Sequence, residues 1–199
     1  MVADLNPIPA GSGSASLDRV FGGLTPAEIS AVFHPRLNAV SLEFRHEMVS
    51  YRLFFDEVAR MRFAAALEAY NADFDARNLA DRHRRTVAAY GSVSGRLEWQ
   101  TASFTAVSVS FPTIEFGYRF REKSPFFTVL ARPSKADGGS GGESRQIRVY
   151  FTRAQAAEIA TIFDHGFLMG ILGPAGDAES APGTGYDEYG GGREVPSDG

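Results

Sequence analysis

The sequence predicts an α+β fold, in which a mostly antiparallel sheet of six to seven strands, arranged as a meander, packs against one long helix. Segments with a two-residue apolar period follow one another directly between residues 96 and 151, as in antiparallel sheets with one buried face. One 20-residue stretch, from Glu57 to Ala76, is rich in helix formers. Short capped helices are expected near each end, and a barrel-like closure of the sheet is the alternative architecture.

Composition divides the chain into three regions. Residues 1–18 are rich in Gly, Ser, Ala and Pro, so we expect a flexible N-terminal lead-in. Residues 19–172 are expected to form a single α+β domain, which is long enough to bury a substantial core. Residues 173–199 are rich in Gly, Pro and acidic residues, and this composition predicts a disordered acidic tail.

The first element of the domain is predicted to be a short helix. Thr25 can serve as its N-cap, Pro26 suits the first helical position, and Glu28 completes a capping box. Pro35 should end the helix near His34, because the residue before a proline disfavours helical torsions.

Two strands and the long helix follow. Apolar and polar residues alternate over residues 40–45 and 49–55, and the parity changes near His46 and Glu47, where a tight turn or a bulge is expected. Asp56 is the predicted N-cap of the long helix. Its apolar stripe has helical spacing and consists of Phe63, Leu67, Tyr70 and Phe74.

The second half of the chain supplies the remaining strands and a last helix. Alternation over residues 96–131 changes parity at Pro112, which fits a strand end or an edge bulge. Residues 133–144 predict a long hairpin loop, and residues 147–151 predict the last strand. Thr152 and Gln155 form a second capping box, which opens a helix that runs to about Asp164.

Charge and hydropathy limit the partners and the location. The formal net charge of −4 gives no reason to expect nucleic acid as a partner. No apolar run approaches the roughly 18 residues that a membrane helix requires, so no transmembrane segment is expected. The N-terminus lacks the basic start and apolar block of a signal peptide. We therefore expect a soluble protein, cytoplasmic as the sequence stands, with export after removal of a signal peptide as the alternative.

The sequence carries no recognisable catalytic or metal-binding motif. There is no cysteine, and none of the four histidines has a second histidine three or four positions away. Residues 91–95 have valine where the nucleophile-elbow motif requires serine. The sequence therefore predicts no catalytic residues, no metal site and no cofactor.

The densest positive charge is a candidate site for an anion or an acidic partner segment. It consists of Arg82, His83, Arg84 and Arg85. Guanidinium groups bind phosphates and carboxylates through paired hydrogen bonds. The alternative is a solvated connector between two elements.

Aromatic residues are a second candidate site. Those of the strand region can line a pocket for an apolar ligand, and Tyr90, Trp99 and Tyr118 have polar tips that can orient one. The alternative is a packed core between sheet and helix, which requires the same residue types.

These observations favour a non-enzymatic binding or interaction domain of unknown specificity. Its sharpest form is a domain that holds an apolar small molecule between the sheet and the helix. The alternative is a structural or assembly protein that meets a protein partner through a sheet edge or the acidic tail. An enzyme would need carboxylates or histidines gathered from distant segments.

Overall fold

The computed structural model describes residues 6–19, 22–80, 89–102, 106–121, 123–137 and 142–173. Within these ranges the chain forms ten strands, one short 3₁₀ turn and three α-helices. The elements in chain order are β1 (Ile8–Asp18), β2 (Leu24–His34), the 3₁₀ turn (Pro35–Leu37), β3 (Ala39–His46), β4 (Val49–Phe55), α1 (Glu57–Asp75), β5 (Ser92–Ser94), β6 (Arg96–Thr101), β7 (Ser108–Ser110), β8 (Thr113–Arg121), β9 (Ser124–Ala131), β10 (Ile147–Phe151), α2 (Arg153–Phe163) and α3 (His165–Ile171).

All ten strands belong to one antiparallel sheet with the order β5-β8-β9-β10-β1-β2-β3-β4-β6-β7, which curls into a half-barrel. The strands at its two ends belong to the same hairpin, because β5 continues into β6 and β7 continues into β8. The Gly95 amide, between β5 and β6, donates to the Pro112 carbonyl at 3.0 Å. A side chain at Gly95 would overlap Ile114, so glycine permits this close crossing.

The predicted fold class is wrong. The sheet has ten strands and curls around the helices, whereas six to seven strands lying against one long helix were expected. Residues Ile8–Asp18, expected within the flexible lead-in, form β1. Residues Leu24–His34, expected to contain a helix, form β2.

The error over β2 has a physical cause. Residues 25–28 mark a helix start only where the residues after them keep a helical period. Ile29, Ala31 and Phe33 are each 1% exposed and alternate with more exposed residues, so the period is two. Pairing with β1 on one side and with β3 on the other overrides the local capping signal.

Other predicted elements are confirmed. Strands β3 and β4 pair across the expected turn. Helix α1 begins after Asp56, whose carboxylate accepts a hydrogen bond from the Ala59 amide at 2.8 Å. The second capping box is present, with Thr152 and Gln155 bonded to each other's backbone amides.

Phe63 of α1 lies at the centre of the interior. It is 0% exposed, and its ring centroid lies 5.0–6.5 Å from those of five other phenylalanines. These are Phe55, Phe116, Phe127, Phe151 and Phe163. All five contacts are edge-to-face, a favourable arrangement for aromatic rings. We call the sheet face that packs on the helices the inner face and the opposite face the outer face.

Helix α2 packs against β1 beyond the point where β10 stops pairing with it. Strand β10 pairs with β1 only at Ser16 and Leu17. Along the earlier residues of β1, added Cβ atoms at Gly11 and Gly13 would lie 3.1 and 3.2 Å from isoleucine side chains of α2. The Gln155 amide of α2 also donates to the Ser14 hydroxyl at 2.9 Å. The absence of side chains at the two glycines therefore lets the helix approach the strand.

A candidate binding groove

Strands β2 and β3 form a fork. They pair from His34–Ala39, next to the turn that joins them, to Ser30–Glu43, and they separate beyond that pair. Residues 24–29 of β2 remain paired with β1, and residues 44–46 of β3 remain paired with β4. Among the described residues, no strand pairs with the sides of β2 and β3 that face each other across the fork. In the described chain, the main-chain groups on both sides of the opening therefore have no strand partner across it.

A groove of about 550 Å³ lies at this fork. Its polar lining comes from alternate positions of β2, β3, β4 and β6, namely Glu28, Ser30, Glu43, Arg45, Ser50, Arg52, Glu98 and Gln100. Phe44, Tyr51 and Trp99 lie between these positions and pack with the core. Because successive side chains of a strand point to opposite faces, the groove belongs to the outer face of the sheet.

The floor of the groove is a row of ion pairs across three strands. Arg52 of β4 lies directly opposite Glu43 of β3 and Glu98 of β6. Its Nε is 2.7 Å from Glu43 Oε1, and its Nη1 is 2.9 Å from Glu98 Oε2. Arg96 continues the row, with its Nη2 2.5 Å from Glu98 Oε1. Four charges of alternating sign are thus held in fixed positions.

The central guanidinium is both fixed and accessible. Burial acts to lower the pKa of Arg52, but hydrogen bonds and charge from Glu43 and Glu98 outweigh it and raise the pKa. The side chain is 42% exposed. A guanidinium has five N–H donors, and the two ion pairs use the Nε and one Nη. The remaining donors are available to a ligand.

His34 and Ser41 extend the row on one side. His34 Nε2 is 2.8 Å from the Ser41 hydroxyl, which donates to Glu43 at 3.3 Å. Burial, followed by the charge of Arg52, lowers the pKa of His34. The His34 ring also lies 5.1 Å from the ring of Phe54. A serine beside a histidine suggests nucleophilic catalysis, but Ser41 is 0% exposed. This pair therefore cannot present a nucleophile to a substrate.

Glu28 and Arg45 carry the groove's charges that are not in the ion-pair row. Glu28 is on the β2 wall and Arg45 is on the β3 wall. The β2–β3 register, continued two positions beyond Ser30–Glu43, would place them opposite each other. Within the described part of the chain neither side chain has an ion-pair partner. The open fork therefore presents one free charge of each sign.

The structure brings together two of the three aromatic residues predicted as ligand contacts. The rings of Tyr90 and Tyr118 lie 6.0 Å apart. The Tyr90 hydroxyl donates to Asp73 at 3.0 Å, and burial, followed by this hydrogen bond, raises its pKa. The Tyr118 hydroxyl donates to the carbonyl of Ala80 at 3.3 Å. Trp99 is separate from them and packs with the core beneath the groove floor. The predicted role of the three as ligand contacts stays a prediction.

The predicted anion site, Arg82 to Arg85, lies outside the described residues, and its role also stays a prediction. In the described ranges, no three His, Asp or Glu side chains are grouped as ligands for a metal ion. The same part of the chain has no helix that is both long and apolar enough to cross a membrane.

Sequence reasoning missed the groove residues, although part of the signal was present. Glu43, Arg45 and Arg52 occupy polar positions of predicted strands, and Glu98 does so in the next one. Their alternation with apolar residues places each on the outer face. Which of them lie opposite one another depends on register, and the fork depends on β2 being a strand. Neither was part of the predicted fold.

Comparison with known proteins identifies a family. Residues 8–169 match the model of a family described as "Uncharacterised Treponema protein", and the chain belongs to this family. It is 22% identical over 158 residues to an uncharacterized protein of Treponema pallidum (strain Nichols), a match that covers 79% of this chain and 56% of that protein. The chain thus spans about half the length of this curated relative. No solved structure matches the chain.

Proposed function

We propose that the chain is a non-enzymatic binding domain and that the groove at the β2–β3 fork holds its ligand. The observation that carries the proposal is the open fork, whose strand edges are unpaired among the described residues and flank a row of fixed charges. A set of side chains fixed before binding lowers the cost of ordering on association. A volume of about 550 Å³ is also within the range of small-molecule sites.

The groove favours a polar ligand. The side chains on its floor are charged or hydrogen-bonding, and the aromatic residues among its lining, Phe44, Tyr51 and Trp99, pack with the core. An apolar ligand on this floor would desolvate Glu28, Arg45 and Arg52 without replacing their hydrogen bonds with water, which is unfavourable. A ligand with both donors and acceptors would satisfy these groups.

The space between α1 and the sheet is less well suited to a ligand. The phenylalanine rings around Phe63 fill its centre. The hydroxyls of Tyr90 and Tyr118, which would orient a ligand there, are bonded to Asp73 and Ala80. A polar ligand in the groove therefore accounts for more of the structure than an apolar ligand in the core.

The proposal is tested by a ligand screen that includes a variant of the groove floor. Thermal unfolding is followed with a panel of free amino acids, short peptides, sugars, nucleotides and fatty acids. Compounds that bind the groove raise Tm of the wild type, because a ligand that binds only the folded state stabilises it. Arg52→Gln should abolish this rise. Arg119→Gln, on β8, removes the same charge away from the groove and should retain it.

Two outcomes of the screen would overturn the proposal. One is a panel that leaves Tm of all three proteins unchanged. The other is a set of compounds that raises Tm of Arg52→Gln as much as that of the wild type. If the only active compounds are fatty acids and they bind independently of Arg52, the apolar site between sheet and helix is supported instead.

A further inference from the structure

We propose that the ligand of the groove is an extended peptide segment that adds to the sheet at the open edge of β2. This inference rests on the proposed function and specifies its ligand class. Three features support it: the exposed main-chain edge, the charges on the two walls and the accessible guanidinium on the floor.

The exposed edge of β2 is long enough to bind a peptide strand. Residues 24–29 pair with β1 on one side, and no strand of the described chain pairs with them on the other. Six residues of a strand extend about 20 Å, at roughly 3.3 Å per residue. An unpaired row of amide and carbonyl groups is the template that extended peptides use when they add to a sheet.

Pro26 restricts this edge. Proline has no amide hydrogen, so β2 cannot offer a complete row of donors there. Prolines on edge strands limit indiscriminate pairing between sheets. The edge is therefore suited to a short peptide with a defined register rather than to a long ladder.

The charges of the two walls indicate the side chains of the peptide. Glu28 and Arg45 occupy outer-face positions on opposite sides of the opening, and neither has a partner in the described residues. A strand between them also presents alternate side chains on this face. A basic residue and an acidic residue two positions apart would pair with Glu28 and Arg45 respectively.

The floor of the groove can also donate hydrogen bonds to acceptor groups of the peptide. Arg52 is held by Glu43 and Glu98 and retains N–H donors that the ion pairs do not use. Acceptor side chains of the peptide that project on the outer face can accept hydrogen bonds from these donors. An extended peptide thus uses the strand edge, the wall charges and the floor together, whereas a compact small molecule would leave most of the edge unpaired.

The protein's own β3 suggests a probe. The continued β2–β3 register would set residues 44–46 opposite residues 27–29. The peptide acetyl-SLEFRHE-amide copies residues 41–47, and its Arg and last Glu are two positions apart. With a fluorophore at one end, its dissociation constant for the wild-type protein is measured by fluorescence anisotropy.

Main-chain pairing and charge recognition are tested separately. Two further peptides each carry N-methyl groups on every second amide, one at the odd positions and the other at the even positions. The peptide whose methyl groups face β2 should bind at least tenfold more weakly than the original peptide. Glu28→Lys should also weaken binding of the original peptide at least tenfold. Replacing the Arg of the peptide by Glu should restore binding to Glu28→Lys. Glu68→Lys makes the same charge change on the exposed side of α1 and should leave binding unchanged.

The outcomes distinguish the peptide inference from the proposed function. If the peptide fails to bind while another class of compound binds in an Arg52-dependent way, the ligand class is wrong and the proposed function stands. If nothing binds in either experiment, both are overturned. Equal affinity for the original and both N-methylated peptides would overturn pairing with the edge. A concentration-dependent dimer that Glu28→Lys dissociates would identify a second copy of the chain as the occupant.

Discussion

Two strands of the sheet, β1 and β2, are each unpaired with one neighbouring strand over part of their length. The two resulting openings differ in what packs against them. At the opening between β1 and β10, α2 packs along the strand against Gly11 and Gly13. The paired end is held by the Tyr150 hydroxyl, which donates to Asp18 at 2.9 Å. At the opening between β2 and β3, no described element covers the strands, and Glu28 and Arg45 face the gap.

This difference in packing indicates that the β1–β10 opening is part of the protein's own core, whereas the β2–β3 opening is suited to binding another molecule. At the first opening, two isoleucine side chains of α2 pack closely against Gly11 and Gly13 of the strand. Charged side chains and main-chain groups without a described strand partner border the second, and burying such groups would be costly. The second opening is therefore the part of the sheet where another molecule can bind without displacing the protein's own elements.

The largest effect is expected in the filled interior. Phe63→Ala removes the ring that contacts five others and should lower the free energy of unfolding by about 3–5 kcal/mol. Val107→Ala, at a groove position that is 51% exposed, should change it by less than about 0.5 kcal/mol. Urea denaturation of the three proteins measures both values. A loss below 1 kcal/mol for Phe63→Ala would contradict the packing described for the interior.

The filled opening can be compared directly with the open one by adding a side chain to each. At Gly13→Val the new Cβ would lie 3.2 Å from Ile159 Cδ1, and overpacking should cost about 1–3 kcal/mol. Ser30→Val adds bulk at the groove and should cost less, because Ser30 lines an open space. Urea unfolding measures both changes. The double variant Gly13→Val/Ile159→Val shortens the helix side chain and should recover part of the lost free energy of unfolding. If nothing were recovered, direct contact between α2 and β1 would be contradicted.

The same comparison shows how far the sequence could predict the structure. Strands β3 and β4, the start of α1 and the second capping box follow from local patterns, since alternation and capping residues act over a few positions. Strand β2 does not, because its helix-start residues compete with a two-residue period whose effect depends on β1 and β3. Strand β1 is mostly small residues, and its role depends on α2, far away in sequence.

The candidate site was harder to predict than the fold, for a related reason. Glu43, Arg52 and Glu98 are ordinary surface charges in the sequence, separated by 9 and 46 positions. They become one row only when β3, β4 and β6 are neighbours in a fixed register. The sequence predicted ligand contacts at Tyr90, Trp99 and Tyr118 because aromatic side chains with polar tips often line binding pockets. A packed interior requires the same residue types, so the sequence could not distinguish the two.

A smaller loss of stability is expected when the charge row of the open groove is interrupted. Glu98→Gln removes a carboxylate that is 10% exposed and binds both Arg52 and Arg96, and the free energy of unfolding should fall by about 1–3 kcal/mol. Asp75→Asn breaks an exposed ion pair with Arg153 and should cost less than about 1 kcal/mol. Urea denaturation at low and high salt measures both. Equal losses for the two variants would mean that the row is no more than a set of surface ion pairs.

The smallest effect is a pH dependence that arises beside the groove and not in the filled interior. Burial, and then the charge of Arg52, lowers the pKa of His34 below its ordinary value of 6.5; Arg96 acts in the same direction, and Glu43 and Glu98 oppose it. As pH falls through 6.5, the unfolded chain therefore binds this proton before the folded chain does. Neutral His34 contributes stability above this pH that is lost as the pH falls.

His34→Gln retains a hydrogen-bonding side chain beside Ser41 but removes the titration. The free energy of unfolding of the wild type should therefore decrease more steeply between pH 7.5 and pH 5.5 than that of His34→Gln. Urea unfolding at several pH values within this window gives the two slopes. Phe63→Ala, which changes the interior without changing a charge, should keep the wild-type slope at its lower overall stability. If His34→Gln had the wild-type slope as well, the pH dependence would have to arise away from the groove. The proposed electrostatic difference between the charged β2–β3 opening and the apolar β1–β10 opening would then be unsupported.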